Sequence, residues 1–453
     1  MDEKALSNSR DLLFSNRDIR RLLTPLIIEQ FLSILVGMLD TLMVSSAGEA
    51  AISGVTLVNE VNFLIITLTA SLATGGAVVA SQFLGAKKRA EANRTASQLV
   101  LIAGICGLLL MFLALIGRRA ILNFLYGSAA PDVLDNAVTY FWITALSFPM
   151  LGLYNACAAV FRTINRTNVT MWVSFLMNGI NVIGNYIGVY MLHLGVTGVA
   201  WPSFLSRTVA AVILFIMAMN RKNALFVSLS GIFHWNGRII RKIISIAVPN
   251  GIENGLFQLG RVLVASIVST YGTAMIAANG VANSIYTLLI ISSSALNIGI
   301  VPVVGRCVGA DDYEQARYYI RKFWCLVMAL ILLNGALVWL ALPSLLHYYN
   351  ISPEGALLVR RIILISIFAL TVFQAPAFTL PNAIRAAGDA KYTMVVGILS
   401  MFLVRISGAY LLGTLLGLHV FGVFLAMYLD WVCRSIFYLI RYRSGKWTRY
   451  RIV

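Results

Sequence analysis

The chain has 453 residues, of which 59% are hydrophobic and 12% charged, with a mean hydropathy of +0.83. Soluble domains run near about 45–50% apolar and 25% charged, so this composition excludes a soluble enzyme or binding module and reads as a polytopic membrane protein. The net charge of +17 invites a nucleic-acid partner, but the basic residues fall mostly between apolar runs, so the excess reports topology and affinity for membrane lipids, and no nucleic acid is expected.

Residues 1–21 form a polar, basic stretch without a short apolar core and small-residue cleavage site, so they read as a cytoplasmic N-terminal tail and not a signal peptide. Twelve apolar spans follow, near 22–44, 55–82, 95–117, 137–160, 168–191, 196–219, 243–268, 279–305, 322–344, 360–383, 392–416 and 419–440. Each can cross about 30 Å of hydrocarbon as a helix. The basic stretch 220–242 divides them six and six, and 441–453 form a basic C-terminal tail.

The first span contains two acids, Glu29 and Asp40. A carboxylate deep in a membrane helix costs roughly 2.5–3.5 kcal/mol, so it is expected to have a role or a partner. Their spacing returns nearly to one helix face, about 16 Å apart along the axis. Asp40 is the expected carrier of a proton or cation.

In the fifth span, Asn178, Asn181 and Asn185 interrupt an apolar run. Asn181 and Asn185, at i and i+4, share a face and could place amide oxygens beside a carboxylate around a cation; hydrogen bonding between helices is the equal alternative. Glu60 and Asp430 lie where pairing is the simpler reading, Asp430 having Arg434 one turn on. Five scattered cysteines, with no CxxC pair, read as buried bystanders.

Sliding the second half over the first at an offset of 224 residues superimposes Pro25 on Pro249, Glu29 on Glu253, Gly48 on Gly272 and Gly85-Ala86 on Gly309-Ala310. Arg162 meets Arg385 at an offset one shorter. Six spans per repeat is an even number, so the repeats run parallel, related by an axis along the membrane normal. The chemistry differs between them, because Asp40 aligns with Val264 and Asn181 with Arg405, while Arg261 adds another cation. The N-half is therefore expected to hold the exchangeable site, and Glu253 to be an ion pair with a membrane arginine.

If both termini are cytoplasmic, most of the 35 basic residues fall inside, with Arg118, Arg119, Arg360 and Arg361 outside and Arg207, Arg261 and Arg405 within spans. Met38, Phe63, Tyr154, Phe257, Tyr286 and Phe373 are weaker candidates for lining a substrate cavity, since adaptable and aromatic side chains suit amphipathic ligands. GxxxxGK[ST], HExxH and GxSxG are missing from the sequence, so no enzyme is expected and no cofactor.

Pro25 with LDTLMVSSAGEAAISGV, the string GGAVVASQFLGAKKRAEA, and their echoes YGTAMIAANGVANSIY and VVGRCVGADDYEQAR make the chain resemble the multidrug and toxic compound extrusion (MATE) transporters along essentially its whole length. The resemblance implies an all-α integral membrane protein of twelve helices in two six-helix bundles. The implied boundaries are an N-lobe over 22–219, an inter-lobe loop over 220–242 and a C-lobe over 243–440. It implies a central cavity for cationic or amphipathic small organic compounds, exported by a monomer in exchange for protons or sodium.

In that pattern the first-helix aspartate, here Asp40, binds the coupling ion, and an Asn–Asp pair in the fifth helix matches Asn181 and Asn185. The second position is an amide here, leaving one carboxylate fewer. A sodium-coupled branch carries acids in the seventh and tenth helices, where this chain offers Glu253 and only Gln374. A proton is thus favoured over a sodium ion at Asp40, Asn181 and Asn185, with Glu253, Arg261, Arg405 and Gln374 as a secondary polar set. Two alternatives stand beside this: a flippase for lipid-linked envelope precursors, which calls for a strongly cationic cavity, and a membrane scaffold or receptor without transport.

Overall fold

In a computed structural model the chain is described over residues 12–46, 48–127, 129–349 and 351–453, so most of the expected N-terminal tail, residues 1–11, lies outside the described residues. The described residues are almost wholly helical and contain no strand. They divide into two compact units, 16–251 and 252–453, the second also including residues up to Ser15.

The first unit begins with α1 (Asn16–Ser45), α2 (Glu49–Gly85) and α3 (Arg89–Tyr126). The expected fourth span is a bent pair, α4 (Pro131–Ala145) and α5 (Phe148–Thr163), meeting at 48°. Pro149 lies in the first turn of α5, where its missing N–H costs nothing but the preceding helix cannot run through it. Then come α6 (Thr167–Tyr186), prolonged by a π-helical turn at Ile187–Met191, and α7 (Thr197–Ala218).

A short helix α8 (Leu229–Phe233) lies in the inter-lobe stretch, and α9 (Gly237–Ser269) starts inside the expected loop and runs across the boundary between the units. The stretch is pinned to α3. Gln98 donates to the carbonyls of Gly231 at 2.7 Å and His234 at 2.9 Å and accepts from Asn236 N, while Ser97 Oγ accepts from Ser228 N.

The second unit continues with α10 (Thr273–Gly309), α11 (Tyr313–Tyr349), α12 (Pro353–Gln374), a π turn at Ala375–Thr379 and α13 (Leu380–Ala386). It closes with α14 (Ala390–Ser400), π turns at Met401–Ile406 and Ala409–Leu415, and α15 (His419–Arg443). The expected C-terminal tail folds onto this unit. Trp447 is fully buried against Tyr442, and Arg451 reaches Asp311 at 3.2 Å.

Among the described residues nine helices are long and apolar enough to cross a membrane, or ten with the bent pair taken as one span. The expected spans 168–191 and 243–268 are also helical, as α6 with its π turn and α9, but do not meet that apolar standard. Their polar residues explain this: four asparagines in α6, and Asn250, Glu253, Asn254, Gln258 and Arg261 in α9.

The repeat is written into the backbone. Gly48 and Gly272 precede α2 and α10 with φ of 105° and 89°, a region open essentially to glycine alone. Lys87 and Asp311 follow those helices with φ of 59° and 61°, and His193 with Gly417, and Gly195 with His419, share the same left-handed habit at the same offset.

A Cβ at Gly272 would meet nothing within 4 Å, so a substitution there isolates the backbone cost. Gly272→Ala is expected to lower stability in detergent by about 1–3 kcal/mol. Gly280→Ala, equally uncrowded but inside α10, is expected to be neutral or stabilising by about 0.5–1 kcal/mol. Thermal melts of the two variants check the contrast.

Candidate functional site

Helix α1 lies along α6, and α6 along α7, which brings Asp40, Asn181, Asn185 and Ser203 together inside the first unit. Asn185 Nδ2 donates to Asp40 Oδ1 at 2.7 Å. With its amide nitrogen toward the carboxylate, Asn181 donates to Oδ1 at 2.9 Å and Oδ2 at 3.2 Å, and its oxygen accepts from Ser203 Oγ at 3.1 Å. The opposite amide orientation would set two acceptors against each other.

The residues come to one place with amide nitrogens turned to the carboxylate, the hydrogen-bonded arrangement of the two the sequence left open. Asn185 Oδ1 is buried and accepts from no described residue. As arranged, the site holds a negative carboxylate with neutral N–H donors; it would offer a cation the same three side chains only after both amides turned over.

A cavity of ≈330 Å³ opens against this cluster. Its polar wall includes Asp40, Tyr140, Asn178, Asn181, Ser203 and Arg207, and valines 36, 55 and 199 belong to the apolar wall. That volume lies at the lower end of the range for small-molecule sites. Asp40 is the only carboxylate among the lining residues. Arg207 donates to Ser147 Oγ at 2.9 Å, and the Tyr140 hydroxyl to Asn59 Oδ1 at 3.4 Å.

Sequence reasoning missed Arg207 and Tyr140 as site residues. Arg207 carried the one available signal, a cation inside a span. None of the six aromatic and methionine candidates lines this cavity. Met38 and Phe63 are about half exposed at 49% and 46%, Tyr154 is buried, Phe257 packs against two guanidiniums, Tyr286 stacks on Trp431, and Phe373 is half-buried.

Glu29 is not with Asp40. It accepts from Arg162 Nη2 at 2.8 Å and from Thr170 Oγ1 at 3.2 Å, and the Thr170 hydroxyl also lies 2.9 Å from the Thr167 carbonyl. Glu253 repeats the arrangement, with Arg385 Nη2 at 2.7 Å and Asn382 holding the same guanidinium. Its partner is thus Arg385, and neither Arg261 nor Arg405. Gln374 donates to Ser293 Oγ at 3.0 Å, and Arg434 Nε to Asp430 Oδ1 at 2.9 Å.

The sequence profile of the MatE family matches residues 25–187 and 249–411, two segments separated by the same 224 residues. An "Uncharacterized transporter YisQ" of Bacillus subtilis (strain 168) is 27% identical, covering 98% of this chain and 97% of its own length. A "Probable multidrug resistance protein NorM" of Thermotoga maritima is 24% identical, over 96% and 93%. Among solved structures, "Outward-facing conformation of a multidrug resistance MATE family transporter of the MOP superfamily" superimposes with a TM-score of 0.88 at 19% identity, covering 95% of this chain and 96% of the other.

The two glutamate–arginine pairs lie outside the cavity and are expected to be structural. Arg162→Ala or Arg385→Ala, each stranding a buried carboxylate, should cost about 3 kcal/mol or more. The double replacement Glu29→Leu with Arg162→Met should recover most of the loss. Thermal denaturation of the purified variants checks both statements.

Proposed function

We propose, from the premise that the chain belongs to the MatE family of multidrug and toxic compound extrusion transporters, that it exports cationic or amphipathic organic compounds in exchange for protons. As a family member it is a multi-pass membrane transporter and not an enzyme. The observation that carries the proposal is Asp40, the one carboxylate lining the cavity, held by the amides of Asn181 and Asn185. The name multidrug resistance protein, given to the Thermotoga relative, supports the substrate class.

The ionised carboxylate draws N–H donors from α6 across to α1, and hydrogen bonds to a charged group contribute about 1.5–3 kcal/mol each. Protonation removes the charge and weakens both bonds together. The energy that joins α1 to α6 therefore depends on whether Asp40 carries a proton. Pro25 interrupts the hydrogen-bond ladder of α1, which gives that helix a place to bend when the tie relaxes.

In the exchange cycle, an ionised Asp40 beside Arg207 receives a proton from one side of the bilayer, the cavity releases its cargo there, and the proton leaves toward the other side. Proton coupling suits the site better than sodium coupling. One base suffices to carry a proton, whereas a hard cation asks for about six oxygen ligands, and the amides present nitrogen. The placement of basic residues supports cytoplasmic termini, and the chain acts as a monomer.

The test is transport of ethidium into proteoliposomes. Vesicles with an acid interior are expected to accumulate the dye, and a sodium gradient alone is not. Asp40→Asn is expected to abolish pH-driven uptake while the protein still reconstitutes. Transport by Asp40→Asn with unchanged ion dependence would remove the assignment, and wild-type flux insensitive to both gradients would remove the antiport.

A further inference from the structure

We propose that the C-terminal unit carries a second site, built on Arg405 and Arg261, for an organic anion with an aromatic body. Where the first unit sets Asp40 and Asn181 together, the repeat places Val264 and Arg405. The matching position has changed from an acid with an amide to a cation. Arg405 lies in the π-helical turn Met401–Ile406, a distortion rare in helices and common at functional sites.

The charges there do not balance. Arg405 is within electrostatic range of Arg261, Arg434 and Asp430. Asp430 is fully buried and taken by Arg434, which also donates to Ser400 Oγ at 3.3 Å and Gly397 O at 3.1 Å. The other nearby acid, Glu253, is paired with Arg385. Among the described residues no carboxylate lies within salt-bridge reach of Arg261 or Arg405, and Arg405 Nε is buried without an acceptor. An arginine deep in a membrane helix costs roughly 2.5–3.5 kcal/mol, so one left unpaired marks a functional site.

The surroundings define the ligand. A guanidinium presents a planar fork that matches a carboxylate or sulfonate with two parallel hydrogen bonds. Arg405 lies 5.4 Å from the Phe257 ring centroid and Arg434 5.1 Å from it, so both guanidiniums pack on that ring. Tyr286 stacks on Trp431 with centroids 6.1 Å apart. The guanidiniums offer partners to an anionic head, and the half-buried rings of Phe257 and Tyr286 lie within reach of Arg405. Arg434 is a fixed strut; Arg405 and the exposed Arg261 are the ligand-facing cations.

That the anion is cargo rests on the efflux reading; that it binds does not. The test is binding of radiolabelled 1-naphthoate to the full-length protein in phosphatidylcholine nanodiscs, with the melting temperature of each variant measured alongside. Wild type is expected to bind saturably, and Arg405→Gln and Arg261→Gln each to weaken binding about tenfold or more. Should Arg405→Gln lower the melting temperature, Arg405→Lys, which keeps charge but loses the fork, is expected to bind at an intermediate level.

Added phosphatidylglycerol that competes in wild type but not in Arg405→Gln assigns the anion to a lipid headgroup; absence of competition assigns it to a soluble compound. Either result supports the site. No naphthoate binding by wild type, or equal binding by wild type and both glutamine variants, overturns it. Loss of ethidium transport with naphthoate binding intact would remove the efflux reading and leave the site standing.

Discussion

A charge inside an apolar helical protein must find compensation, and the way each buried charge finds it decides what that part of the molecule can do. Glu29, Glu253 and Asp430 are compensated by full opposite charges on Arg162, Arg385 and Arg434. Removing either partner of such a pair strands a buried charge. Asp40 is compensated by dipoles, the N–H groups of Asn181 and Asn185. Among the described residues no guanidinium lies within salt-bridge reach of it, and Arg207 shares only its cavity. That difference, more than depth in the membrane, is the ground on which Asp40 is proposed as the exchangeable acid.

The duplicated architecture makes the contrast readable. Both halves keep the same left-handed turns, the same pair of helix-starting glycines and the same glutamate–arginine tie between their first and fourth helices. These are features of folding: two helix starts that only glycine tolerates, left-handed turns after the helices, and buried charges that must meet. The centres of the two halves have diverged, one to an acid among amides and the other to arginines among aromatic rings. Constraint sits at the ends of the helices and variation where a ligand would lie.

Much of this was legible in the sequence, because the properties that announced it are one-dimensional. Apolar runs gave the helices, the offset of 224 gave the repeat, and an aspartate in an apolar run gave the site. Helical spacing alone placed Glu29 near the face of Asp40, but the two acids meet different neighbours, Arg162 in the last turn of α5 for the one and Asn185 in the last turn of α6 for the other. The alignment of Arg162 with Arg385 was visible; that each would pair with its own half's glutamate needs the packing.

Two things were not legible. Periodicity says that a face is apolar, not whether it meets lipid, a neighbour or a cavity, so it could not tell that Tyr140 lines the cavity of the first unit or that Met38 and Phe63 are half exposed. Nor does a sequence say which end of an amide points inward, and at Asn181 and Asn185 that choice decides between a cation cage and a proton site. The most direct measurement is of protons released to dilute buffer when tetraphenylphosphonium binds the purified protein near neutral pH. Release by wild type and none by a variant with asparagine at position 40 is the predicted result; equal release by both, or none by wild type, would contradict the account.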